Sequence, residues 1–125
     1  MSSDARQVKT AEILDGLLDS VPGLRGALVA SVDGRAVAAR LDDLDPSSTA
    51  AIVASSCALG ERLADLAGEG GMEEIVVRAV DGYVVIYSVA DWAVLTVLTR
   101  PSANLARLHL AARDVLPHLA ELRQA

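Results

Sequence analysis

The stretch RGALVASVDGRAVAA, residues 25–39, determines how the rest of the sequence is interpreted. Two runs of small and branched apolar residues, 27–32 and 36–39, flank the pair Asp33-Gly34. An Asp-Gly pair between apolar runs predicts a β-hairpin, because the tight turn needs residues that tolerate positive φ. Both faces of the first strand are apolar, so we expect it to be covered on both sides.

A second hairpin and one more strand are predicted further along the chain. Residues 75–80 and 83–89 flank Asp81-Gly82, and a turn at Ala90-Asp91-Trp92 leads into the apolar run 93–99. Strands joined by such short connections are antiparallel. The sequence therefore predicts about five mainly antiparallel strands.

Three helices account for the remaining apolar periodicity. The first is expected over about residues 5–20, and Val21-Pro22-Gly23 ends it. Its apolar face is expected to be Val8, Ala11, Leu14 (or Ile13), Leu17 and Leu18. The second begins at Pro46, with Asp45 as its N-cap, and runs to about Ala67.

The third helix is expected to begin near Pro101. Its apolar stripe is Leu105, Leu108, Ala112, Val115, Leu119 and Leu122. Because proline lacks the amide hydrogen that a helix interior uses, we expect a kink or a local break at Pro117.

The predicted order is helix, two strands, helix, three strands, helix. This order favours an α/β (α+β) fold, a three-layer sandwich with helices on both faces of one sheet. A chain of 125 residues without an internal repeat or linker is expected to form a single domain, residues 1–125.

The composition excludes several classes of function. The net charge is −6 and Lys9 is the only lysine, so a nucleic-acid partner is not expected. A single cysteine suits a reducing compartment, and no apolar run is long enough for a bilayer crossing. We expect a cytoplasmic protein without membrane insertion.

No catalytic constellation is found in the sequence. The glycine-rich residues 68–71 follow a helix rather than a strand and lack the lysine of a phosphate loop. His109 and His118 fit no zinc spacing and are expected at a helix surface or flank, and Cys57 is expected to be a buried apolar side chain. We therefore expect no enzyme activity, no cofactor and no metal.

An ordered series of features gives the chain a resemblance to a known family. The features are residues 13–14, 22–34, the small-residue helix from Pro46, the Asp81-Gly82 hairpin and the strand residues 95–98. In this order they resemble the roadblock (dynein light chain roadblock) domain family, especially its bacterial branch. The resemblance covers nearly the whole chain and includes no catalytic motif.

The resemblance implies a homodimer that regulates a small Ras-like GTPase, as an activator of hydrolysis or as a nucleotide-dependent partner. One alternative is a scaffold that is indifferent to the nucleotide and links a sensor kinase or motility components. Another is a small-molecule sensor domain. In the family, the middle helices pack together and the edge strands that follow them pair, which places the edge strand here at residues 73–79.

The middle helix carries two adjacent apolar stripes. We expect Ile52, Ser56, Leu59, Leu63 and Leu66 to pack on the sheet. The smaller stripe is then left for a second copy, although close packing of Gly60 on its own sheet is an equal alternative. The predicted dimer interface is Val53, Cys57, Gly60, Ala64, Glu73, Ile75 and Val77.

Four further residues are candidate contacts for a protein partner: Arg62, Glu61, Asp65 and Trp92. An arginine supplied in trans speeds GTP hydrolysis in some complexes, and Arg62 is a candidate for that role. The simpler interpretation is that Arg62 is a solvated helix residue. Trp92 is interpreted either as a binding anchor or as local core folded over the sheet.

Overall fold

The computed structural model describes residues 2–123 and contains the eight elements in the predicted order. The helices are α1 (Ser3–Ser20), α2 (Pro46–Leu66) and α3 (Leu105–Glu121). The strands are β1 (Leu24–Ser31), β2 (Ala36–Arg40), β3 (Glu74–Ala79), β4 (Gly82–Val89) and β5 (Ala93–Thr99). The predicted fold class is confirmed.

The five strands form one sheet in the order β2-β1-β5-β4-β3, and all neighbouring strands are antiparallel. Every residue of the central strand β5 is buried. α1 and α3 pack on one face of the sheet, and α2 packs on the other. The result is a three-layer sandwich with β2 and β3 as its edge strands.

Apolar side chains of β1 alternate between the two layers. Ala27 and Val29 pack beneath α1 and α3, whereas Leu28 and Ala30 pack beneath α2. This arrangement confirms that β1 is covered on both sides. On α1 the predicted Leu14 and Leu17 are buried, but Val8 is 57% exposed, so its placement in the core was wrong.

The two Asp-Gly turns differ in position. Gly34 lies in the first turn with φ +92°, as that signal predicts. In the second hairpin Ala79 pairs with Gly82, so the two-residue loop is Val80-Asp81 and Gly82 already belongs to β4. At Gly82 a Cβ atom would collide with the carbonyl oxygen of Thr99, which explains the glycine there.

The starts of α2 and α3 are set by their capping side chains. The Asp45 carboxylate accepts the Ser48 backbone N–H at 2.9 Å, and Pro46 is the first residue of α2, as predicted. α3 begins later than the expected Pro101, because the Asn104 side chain accepts the backbone N–H of Arg107 at 3.2 Å. α3 continues through Pro117 to Glu121, so the expected local break does not occur there.

Candidate protein-interaction surface

α2 packs on the sheet through its smaller residues. Ala50, Val53, Ala54 and Cys57 are buried, and Val53 and Cys57 lie in a cluster with strand residues of the same chain. The expected orientation of the helix is therefore wrong, because small side chains let α2 approach the sheet closely. Val53 and Cys57, predicted to meet a second copy, are enclosed by their own chain.

The larger apolar residues of α2 point to solvent. Ile52 is 66% exposed, Leu59 68%, Leu63 67% and Leu66 85%. We call these four residues the α2 apolar face. Their spacing of seven, four and three residues places them on one side of the helix. Isolated large apolar residues are common on protein surfaces, but four aligned on one helix are typical of an interaction surface.

Gly60 lies where α2 approaches β3. A Cβ atom on Gly60 would lie 2.8 Å from Cδ1 of Ile75 and would also contact the sulfur of Met72. The close approach that Gly60 indicated is therefore made within the chain, which is the alternative left open by the sequence. Ala64, one turn later, is only partly buried.

The edge strand β3 lies beside this helix. It pairs with β4 on one side and has no neighbouring strand on the other side among residues 2–123. Ile75 is partly buried, whereas Val76 is 42% exposed and Val77 47% exposed. A strand with free backbone groups and exposed apolar side chains is suited to pair with another chain. Glu73 precedes it and is exposed.

The candidate partner contacts are not all accessible. Arg62 and Asp65 are exposed on α2, and Glu61 is partly buried near the backbone N–H of Met72. Trp92 is 8% exposed and belongs to the core beneath α1 and α3. Its position matches the local-core interpretation, since an anchor for a partner needs an exposed ring.

A series of polar side-chain contacts that the sequence did not indicate links β4, α3 and β3. The Tyr87 hydroxyl lies 2.7 Å from Nδ1 of His109, and Nε2 of His109 lies 3.2 Å from a carboxylate oxygen of Glu74. His109 is thus a structural link rather than a simple surface residue. Burial raises the pKa of Tyr87, and the negative charge of Glu74 raises that pKa further.

The titratable groups of α2 give no sign of an activated nucleophile. Burial raises the pKa of Cys57, and the nearby charge of Glu61 acts in the same direction, so the thiol stays protonated at neutral pH.

No group of three or more His, Cys, Asp or Glu within residues 2–123 is arranged to hold a metal ion. Across the same residues, no helix is both long and apolar enough to cross a membrane.

Comparison with known proteins identifies the family. The family model "Roadblock/LC7 domain" matches residues 10–99, which include α2 and the whole sheet. The chain belongs to the Roadblock/LC7 family. The match starts within α1 and ends before α3, so the remaining parts are described by the structure alone. No curated protein sequence matches the chain.

Several solved structures share the fold. A structure described as MglB with tetrameric arrangement has a TM-score of 0.84 at 24% identity, covering 94% of this chain and 90% of that one. Myxococcus xanthus MglB has a TM-score of 0.86 at 18% identity, covering 95% and 93%. The gliding protein MglB from Thermus thermophilus has a TM-score of 0.79 at 23% identity, covering 98% and 91%. At these identities the likeness establishes the fold.

Proposed function

We propose that this Roadblock/LC7 domain acts as a homodimer that binds a small Ras-like GTPase and regulates it without catalytic chemistry of its own. The observation that carries the proposal is the α2 apolar face beside the unpaired edge of β3. Family membership and the fold shared with MglB proteins support the same conclusion. The GTPase as partner follows from the resemblance to bacterial roadblock proteins.

A second copy of the chain is the natural occupant of this surface. A two-fold axis beside β3 places the β3 strands of two copies next to each other in antiparallel orientation. The free backbone N–H and C=O groups of each strand then pair with those of the other. The same axis sets the two α2 apolar faces side by side. Each leucine or isoleucine that becomes fully covered contributes roughly 1.5–3 kcal/mol, which makes burial of four such side chains per protomer a substantial driving force.

The proposed interface differs in part from the one expected from the sequence. Ile52, Leu59, Leu63 and Leu66 replace Val53 and Cys57 as the helix contacts, because the former are exposed and the latter are buried. Glu73, Ile75 and Val77 remain in the proposal, since they lie on or beside the free edge of β3.

Regulation is proposed to occur through binding. A dimer that contacts the switch segments of a GTPase preferentially in one nucleotide state shifts the population toward that state. Arg62 is proposed to be a solvated residue rather than a catalytic arginine, because most exposed arginines on a helix surface are simply solvated. Replacement of Arg62 by alanine is then expected to leave GTPase stimulation unchanged.

The test is retrieval of partners from the native cell extract with the immobilised full-length chain. The extract is divided and supplied with GDP or with a GTP analogue that is not hydrolysed. Enrichment of a small GTPase in one nucleotide state supports the proposal. A set of partners that is the same with both nucleotides and contains no GTPase contradicts it and favours a scaffold linking a sensor kinase or motility components.

A matched pair of variants sharpens this test. Leu63→Glu places a charge in the α2 apolar face, whereas Leu110→Glu places one on α3, where Leu110 is similarly exposed at 62%. If the GTPase requires the dimer, Leu63→Glu loses the GTPase and Leu110→Glu keeps it. Equal recovery by both variants contradicts the requirement for the dimer.

A further inference from the structure

A polar cleft lies at the start of α1, on the face of the sheet opposite α2. It has a volume of about 370 Å³ and lies between the first turn of α1 and the β1–β2 turn. Ser3, Arg6 and Gln7 line one wall, Arg35 and Asp33 line the other, and Trp92 also borders it. None of these residues belongs to the proposed dimer surface.

Two buried hydrogen-bond donors of this cleft have no acceptor. They are Nε1 of Trp92 and Nε of Arg6, both free of any hydrogen-bond partner in the described chain. Trp92 is more than nine-tenths buried, and an unpaired N–H in such a place is costly. The guanidinium carbon of Arg6 lies over the indole ring, 5.0 Å from its centre, so the side chains that carry the two donors are neighbours.

The charges around the cleft favour an anion. Arg6 and Arg35 supply two positive charges, and the N-terminus of α1 adds the positive end of its dipole. Asp33 supplies one negative charge, and the hydroxyl of Ser31 holds the pKa of this carboxyl below its usual range, with a smaller contribution from Arg35. Nε of Arg35 lies 3.8 Å from a carboxylate oxygen of Asp33, and the two arginines with this aspartate leave one net positive charge, which favours an anion.

We propose that this cleft binds a single carboxylate group, with Arg6, Arg35 and the Trp92 indole N–H as donors. Arginine matches the two oxygens of a carboxylate, and the indole N–H supplies a further donor. The two unpaired nitrogens are buried, and the Arg6 guanidinium lies over the indole ring. Binding therefore requires Arg6 to turn away from the indole ring, which a long flexible side chain does readily. This proposal does not depend on the proposed function.

The single tryptophan of the sequence makes the proposal directly measurable. The full-length chain labelled with ¹⁵N shows one indole N–H signal, and it is titrated with acetate and with N-acetylglutamate at constant ionic strength. Sodium chloride and inorganic phosphate serve as comparison anions. We expect the indole signal to shift with saturation for both carboxylates, and tryptophan fluorescence to change over the same concentrations.

Three variants decide between a built site and weak general binding. Arg35→Gln leaves both Arg6 and Trp92 unchanged. It is expected to weaken carboxylate binding roughly tenfold, the usual effect of losing one charge-assisted hydrogen bond. Asp33→Asn is expected to strengthen binding. Arg107→Gln, on the exposed side of α3, is the control and is expected to leave binding unchanged.

Three outcomes overturn the proposal. The first is an indole signal that does not shift when carboxylate is added. The second is an equal response of the wild type and Arg35→Gln, which means that the carboxylate binds as an adventitious additive only and not through the cleft. The third is tighter binding of phosphate than of either carboxylate, which shows that the cleft prefers a dianion. Arg6→Gln serves as a further variant if its indole signal shows that Trp92 keeps its native environment.

Discussion

The hydroxyl of Tyr87 and Nδ1 of His109 form a hydrogen bond of 2.7 Å that joins the buried face of β4 to α3. The ring planes of the two residues are nearly perpendicular, at 82°. Nε2 of the same ring lies 3.2 Å from a carboxylate oxygen of Glu74. The end of the edge strand β3 is therefore connected to α3 and β4 through the two ring nitrogens of one histidine.

The raised pKa of Tyr87 predicts a loss of stability in alkali. Unfolding returns the phenol to its ordinary pKa of 10.0, below its value in the folded protein. The folded state thus retains this proton at higher pH than the unfolded state does. The free energy of unfolding is therefore unaffected by Tyr87 below pH 10 and decreases as the pH rises above it.

Urea denaturation at about pH 8 and about pH 11 measures this effect in wild type and Tyr87→Phe. At the lower pH the variant is expected to lose about 1 kcal/mol, because the hydrogen bond between residue 87 and His109 is lost. Between the two pH values the variant is expected to lose less stability than the wild type. Tyr83→Phe is the control for the second tyrosine, and identical pH dependence in wild type and Tyr87→Phe contradicts the prediction.

The two helical glycines are expected to respond oppositely to substitution. Gly16→Ala is expected to raise the free energy of unfolding by roughly 0.5–1 kcal/mol, since alanine favours the helix and no atom lies within 4 Å of the added Cβ. Gly60→Val is expected to lower it by about 1–3 kcal/mol, because Ile75 and Met72 must be displaced. Thermal and urea unfolding of both variants checks this, and stabilisation by Gly60→Val contradicts the packing of α2 on β3.

The orientation of α2 predicts low reactivity of its cysteine. Cys57 is 6% exposed and its pKa is raised, first by burial and then by Glu61. A disulfide reagent at neutral pH is expected to react with the native protein at least roughly tenfold more slowly than with the urea-unfolded protein. Equal rates in the two states contradict the placement of Cys57 beneath the helix.

The strands and hairpins follow from the sequence because their signals are local. The alternating burial of β1 and the turn at Gly34 depend on neighbouring residues, and a single-sequence pattern contains them. The shift of the second turn to Val80-Asp81 arises from a distant contact, the carbonyl of Thr99 against Gly82. No local pattern reports that contact.

The orientation of α2 could not be predicted from its pattern. Both stripes of the helix are apolar, and the usual rule assigns the larger leucines to the core. The sheet beneath α2 is covered instead by small residues such as Ala50 and Ala54, which leaves Leu59 and Leu63 outside. Composition alone does not distinguish an apolar stripe that packs in the core from one that contacts a partner.

The hydrogen bond between Tyr87 and His109 could also not be predicted from the sequence. The two residues are 22 positions apart and belong to different layers, and neither lies in a recognisable motif. The same holds for the contact between Arg6 and Trp92, which joins the first helix to the β4–β5 turn. Such contacts depend on tertiary packing, which periodicity does not encode.

Sedimentation of the purified chain tests the central claim, self-association through the α2 apolar face and β3, most directly. The wild type and the control Val8→Glu/Leu110→Glu are expected to sediment as dimers, since those residues lie on α1 and α3. Leu59→Glu/Leu63→Glu is expected to sediment as a folded monomer with an unchanged circular dichroism spectrum. A monomeric wild type at every concentration, or a dimeric Leu59→Glu/Leu63→Glu variant, contradicts the account.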